Sequence, residues 1–139
     1  MDFGLTDEQD QLAAAERAWL TRSDPIARIR ESLDKAAVTI DPAAVDHARE
    51  SGLLELLTPE MGGTHVDLAV VAEEHGYAAS SLPVADLAVA AWLLNTIGQA
   101  SGSELVGLAM RPNGGAGLTS PVPMAGDLES FAAASRFEH

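Results

Sequence analysis

The sequence predicts a mostly α-helical bundle with a short, incomplete β tail. Three observations predict it. Apolar residues make up 47% of the chain while aromatics reach only 4%, a composition that suits close-packed helices better than a β-sandwich rich in β-branched and aromatic side chains. Helix-start signals recur at Thr6, at Asp24-Pro25, at Asp41-Pro42 and at Thr64. Two stretches, Val66 to Ala72 and Val84 to Ile97, are apolar on nearly every side, as helices buried in a core are.

The first helix is expected over about Thr6 to Thr21. Thr6-Asp7-Glu8-Gln9 has the form of a capping box: the Thr hydroxyl takes a free backbone N–H and the Gln reaches back to the Thr. Asp7 and Glu8 sit where the helix dipole favours negative charge. Leu12, Ala15 and Trp19 share one face, the expected buried stripe, with Glu16 and Arg17 on its flanks. Asp24-Pro25 starts a second helix, to about residue 36, because Asp caps well and Pro suits the first helical position. Ile26, Ile29 and Leu33 repeat on one face of it. Asp41-Pro42 starts the third, with Val45 and Ala48 inward. Gly52 is the expected left-handed residue that ends it, and Leu53 folds back there.

Pro59 and Gly62-Gly63 form a turn in which glycine permits positive φ and close backbone approach. Thr64 caps the fourth helix with Asp67 at its third position. Ser80-Ser81-Leu82-Pro83 breaks the chain, and the fifth helix runs from Val84 to Ile97 with Gly98 as its left-handed terminator. Both helices carry more apolar surface than a small bundle covers easily, so a face left for a partner or ligand is expected unless the first three helices cover it. After Gly98, Leu105 to Met110 reads as a strand, Asn113 to Gly117 as a turn, and Leu118 to Val122 as a second strand confined to an edge by Pro121. Phe131 to Phe137 reads as a weak terminal segment. Two short strands are not stable alone in water. They must pack on the helices, pair with another chain or stay disordered.

A net charge of −13, from 8 basic and 21 acidic residues, repels phosphate backbones and argues against nucleic-acid binding. A polyanionic ligand such as a coenzyme A ester would need a local basic patch. Arg17, Arg22, Arg28, Arg30 and Lys35 are the cations for one, although a solvated mixed face is the ordinary reading of such a pattern. The chain has no cysteine, which removes disulfides, thiol chemistry and cysteine metal sites. The acidic start, MDFGLTDEQDQ, holds no apolar signal core, and the longest apolar run, Leu87 to Leu94, is far short of a bilayer span. A cytoplasmic protein without a membrane segment is expected.

A buried carboxylate is the simplest candidate for a general base, since desolvation raises its pKa. Asp67, Glu73, Glu74 and Asp86 are the candidates, and helix ends or caps explain each of them without catalysis. His65 and His75 are ten residues apart, not the three or four of a metal pair on one helical face. His47 and Glu50 have i, i+3 spacing but no further ligand. Asn113 to Gly117 lacks the Lys-Ser/Thr of a phosphate loop. No catalytic or metal residue is assigned.

The run PEMGGTHVDLAVVAEEHG, Pro59 to Gly76, resembles the acyl-CoA dehydrogenase family, as do the opening MDFGLTDEQDQL and Glu50-Ser51-Gly52-Leu53-Leu54. Leu105 to Pro112 and Pro121 to Asp127 resemble the entry to that family's middle β-domain. The resemblance implies an N-terminal helical domain over residues 1–100 and, over 101–139, a truncated start of the β-domain or a flexible tail. It implies a family chemistry, FAD-dependent α,β-dehydrogenation of acyl-CoA thioesters in fatty acid or lipid metabolism. The family's catalytic carboxylate and main flavin contacts have no counterpart by motif in this sequence, so FAD is not expected to bind to this chain alone. The implied role is a wall of the acyl pocket within a homo- or hetero-oligomer that includes a dehydrogenase-like chain. The alternative is a non-catalytic helical interaction module, or a truncated remnant.

Overall fold

A computed structural model describes residues 4–35, 38–99, 104–111 and 130–135. These residues are mostly helical. In chain order they form α1 (Asp7–Ser23), α2 (Pro25–Ser32), α3 (Pro42–Glu50), a 3-10 turn (Leu53–Glu55), α4 (His65–Tyr77), α5 (Val84–Thr96) and two strands, β1 (Val106–Arg111) and β2 (Ser130–Ser135).

The starts follow the local chemistry. The Thr6 hydroxyl accepts the Gln9 N–H at 3.2 Å while Gln9 Oε1 accepts the Thr6 N–H at 3.0 Å, a complete capping box. Thr64 and Asp67 repeat it at α4, with the Thr64 N–H donated to Asp67 Oδ2 at 2.7 Å. Asp24 serves two helices. At φ 47° it terminates α1, and its carboxylate accepts the Ala27 N–H to cap α2. Gly52 and Gly98 both adopt positive φ, 73° and 78°, at the ends expected of them.

The main core joins α3, α4 and α5 through Ala48, Val71 and Leu87, with Leu53 folded in beneath and Leu12 and Trp19 of α1 packed on the outside. A second cluster puts Leu56, Leu57 and Leu68 against Ala88. β1 covers the far side of α5, where Val106 packs on Ala90 beside Leu94 and Leu108. β1 and β2 pair in parallel from Val106↔Ser130 to Arg111↔Ser135.

Three expectations are corrected. The buried stripe of α1 is Ala13, Glu16 and Leu20, so Glu16 faces inward and Ala15 outward, while Leu12 and Trp19 are half-buried at its edge. A stripe drawn through aliphatic side chains alone missed the rotation, because a partnered carboxylate holds the central place. The second helix ends at Ser32 and buries none of its residues; Leu33 is 75% and Ile26 45% exposed. On α4 Val66 is 53% exposed; no residue of α5 from Val84 to Leu94 is exposed, although Ala91, Trp92, Leu93 and Leu94 are only half-buried. The shelter of α5 comes from α4, the 3-10 turn and the two strands more than from the first three helices. In the tail, the first strand forms one residue later than expected and packs on the bundle. The expected second strand, Leu118 to Val122, and the turn at Asn113 to Gly117 lie outside the described residues.

Candidate functional site

The titratable groups that the fold brings together are Glu16 of α1, His47 of α3 and His75 of α4. Glu16 Oε1 lies 2.8 Å from His47 Nε2, and Oε2 lies 3.0 Å from His75 Nε2. Glu16 and His75 are each only 3% exposed. An ionised carboxylate only accepts, so the facing nitrogen of both rings carries the proton. Each ring's other nitrogen then meets a hydroxyl: Ser80 Oγ at 3.1 Å from His75 Nδ1, and Ser51 Oγ at 3.4 Å from His47 Nδ1. The His47 ring stacks on Trp19, with centroids 4.1 Å apart and planes within 9°. Burial by itself would raise the Glu16 pKa. The hydrogen bonds from His75 and His47 outweigh it and hold the carboxyl below its ordinary value.

Carboxylate, imidazole and hydroxyl therefore stand in a row as Glu16, His75 and Ser80, the order of a nucleophile relay. Two features turn it toward structure. Ser80 Oγ also accepts the Leu82 N–H at 3.3 Å, closing the turn between α4 and α5. The Glu16 carboxylate is shared with a second ring and sealed from solvent. It is also no metal centre: both Nε2 atoms spend their protons on different carboxylate oxygens. Among the described residues no group of three or more His, Asp or Glu is arranged to hold a metal ion. The arrangement ties three helices together.

An open groove of about 430 Å³ runs beside this network, lined by His75, Ser80, Ser81, Pro83, Ala85 and Asp86 among others. Asp86 sits in the first turn of α5, half-buried, with no hydrogen bond or ion pair among the described residues. Burial pushes its carboxyl above the ordinary value. Of the four carboxylates proposed from sequence, Asp86 alone has the environment of a base that could take a proton.

The other three have other partners or face solvent. Asp67 caps α4 and accepts from Gln9 Nε2 at 3.0 Å; the Thr64 backbone N–H, then Gln9, lowers its pKa. Glu74 is buried and takes Arg17 by two oxygens, one of them 3.0 Å from Arg17 Nε. Glu73 is exposed. His65 is exposed and meets Trp92 edge-on at 5.5 Å. His47 turns to Glu16, 31 positions away, and not to Glu50. The expected basic patch divides: Arg17 is bound to Glu74, Arg28 reaches the Thr39 and Ile40 carbonyls and Asp41, and Arg22, Arg30 and Lys35 have no partner among the described residues. Glu16 was the residue missed from sequence. The signal for it was its place at i+3 from Ala13 and i−4 from Leu20.

No described helix is long and apolar enough to cross a membrane. No family model, no curated protein and no solved structure matches the chain.

Proposed function

We propose that the chain is a helical component of an acyl-CoA dehydrogenase-type flavoenzyme, not catalytic by itself. It lends a wall of the acyl pocket and a packing face to a dehydrogenase-like chain, which brings FAD and the base that removes the α-proton. One observation carries this reading beyond the resemblance: the backbone at the double glycine requires the residues that the resemblance rests on. Gly62 adopts φ 69°. At Gly63 a Cβ would lie 2.5 Å from the Leu56 carbonyl oxygen, a contact no side chain tolerates. Thr64 and Asp67 then start α4 at once through their reciprocal cap. The segment therefore fixes where α4 begins, with Val66 in its first turn left 53% exposed, a face that a pocket wall could use.

A second reading, a non-catalytic helical interaction module, is favoured by the closed Glu16–His47–His75 network, which offers no substrate a path to the carboxylate. Flavin binding separates the two. The purified chain, mixed with FAD and desalted, should stay colourless and show no dehydrogenase turnover. Co-expressed with a longer dehydrogenase-like chain, it should co-elute as a yellow complex that oxidises an acyl-CoA thioester. Stoichiometric flavin uptake by the isolated chain would sink the first reading as stated. Failure to co-elute with any dehydrogenase-like chain would leave the interaction module.

A further inference from the structure

Asp86 lacks the bond that its position usually gives. It is the third residue of α5, where a carboxylate ordinarily reaches back to the backbone N–H of the cap residue. Asp67 does this at the same position of α4, taking the Thr64 N–H at 2.7 Å. The cap residue of α5 is Pro83, which has no N–H to offer, and no side-chain hydrogen bond caps this helix. The Asp86 carboxylate is therefore half-buried with no hydrogen bond or ion pair among the described residues. An unpaired carboxylate is costly to bury, and no described cation offsets that cost.

This carboxylate lines the groove of about 430 Å³ between the end of α4 and the start of α5, a volume within the range of small-molecule sites. Among the described residues that line it, only Asp86 and His75 are titratable. Both nitrogens of His75 are spent, on Glu16 and on Ser80. Ser80 Oγ is taken by His75 and by the Leu82 N–H. Ser81 Oγ accepts the Asp41 N–H at 2.9 Å. Ala72, Pro83, Val84 and Ala85 make the wall apolar. An incoming molecule thus meets one free negative charge on an apolar wall, and that lining selects it. An anion is repelled, both by Asp86 and by a chain that carries −13 overall. A hard metal ion needs several oxygen ligands where the groove has one carboxylate, and no group of three or more described His, Asp or Glu is arranged to hold one. A neutral molecule leaves the carboxylate without a counter-charge. A small organic ammonium pairs its N–H groups with Asp86 in charge-assisted bonds and lays its carbon body on the wall.

We propose that the α4–α5 groove is a binding site for a small primary ammonium compound with a short apolar body, and that Asp86 is the residue that holds its charge. The ammonium sits at the first turn of α5, and the carbon chain lies along Ala72 and Pro83. The bound cation supplies the partner that Pro83 denies to Asp86. This site stands independently of the dehydrogenase reading, since it uses neither the double-glycine segment nor any flavin.

The test titrates the full chain with n-butylammonium, with n-butanol as its neutral counterpart and with butyrate, at neutral pH, and follows the backbone amide signals by NMR. Butylammonium should shift the signals of Ser81, Ala85 and Asp86 saturably. Butanol should bind at least about tenfold more weakly, and butyrate should not bind. Asp86→Asn should weaken butylammonium at least about tenfold; it removes a partly buried charge, so the variant is expected to fold, with an unchanged far-UV circular dichroism spectrum. Glu73→Gln, on the exposed side of α4, should leave the affinity as it is. Butylammonium should also raise the melting temperature of the unaltered chain and not that of Asp86→Asn. Equal binding of butanol, undiminished binding by Asp86→Asn, or no saturable shift at millimolar concentration overturns the proposal. So does an equal loss in Glu73→Gln, which would give the effect to the acidic surface as a whole.

Discussion

At neutral pH Glu16 is an anion with two N–H donors and almost no water, and α1, α3 and α4 meet on it. Glu16→Gln keeps the shape but turns an N–H₂ group toward one imidazole N–H, so one ring must change tautomer or lose its bond. A loss of about 2–3 kcal/mol in urea unfolding is expected, the range for a buried hydrogen bond to a charged group. A loss below half of that would show that the clasp is not a main tie. The pH dependence has a definite sign. The folded carboxyl titrates below 4.5, so its stabilisation is full above that value and is lost as pH falls through the folded pKa. Asp67 acts in the same sense. Asp86 acts in the opposite sense: burial raises its folded pKa above 3.8, so its ionisation costs stability as pH rises through that raised value. Asp86→Asn should therefore raise the melting temperature at pH 7 and leave it unchanged near pH 3, and a lower melting temperature at pH 7 would mean that the helix dipole outweighs burial. Glu16 was not legible as a buried residue because a period count treats every carboxylate as outward. Its partners lie 31 and 59 positions away, beyond the reach of any local pattern.

The five helices were legible because their starts are written in a few residues. The side-chain oxygens of Thr6, Asp24, Asp41 and Thr64 each accept an orphan N–H where expected. Thr64→Ala removes the hydroxyl half of the α4 cap, for an expected cost of about 1 kcal/mol by thermal or urea melts; no change would mean that Asp67 alone holds the turn. Gly63→Ala should cost more, about 2 kcal/mol or above, since a Cβ at 2.5 Å from the Leu56 carbonyl forces the backbone apart. What the helix signals did not reveal was which apolar face finds a neighbour. Ile26, Ile29 and Leu33 have the same spacing as a buried stripe, yet α2 lies at the rim and only Ile29 is even half-buried. Periodicity reports that a face exists. Burial depends on how the chain turns at Asp24 and again between Ser32 and Asp41, and there the sequence carries no strong directional signal.

Across the whole molecule, the question is what shelters α5. Its apolar girth made a missing partner the natural expectation; within the chain, α4 and the 3-10 turn cover one side and β1 the other, and Ala91, Trp92, Leu93 and Leu94 stay half-buried. The tail is thus part of the helical unit's core where it is described, and not an appendage to it. A chain that ends at Gln99 would uncover Ala90 and Leu94 and lose Val106 and Leu108. Burial of an aliphatic side chain is worth about 1.5–3 kcal/mol when complete, and Leu108 is only half-buried, so a loss of about 3 kcal/mol is expected. That is a large share of the stability of a small domain. The shortened chain should melt earlier, bind the dye ANS and self-associate through the uncovered face. The same chain is also the sharper probe of the proposed pocket wall. If a dehydrogenase-like partner packs on α5, the shortened chain should bind it more tightly than the full one does, because β1 no longer occupies the face. If the partner instead packs on β1, the shortened chain should not bind it at all. Equal affinities would place the contact elsewhere on the bundle.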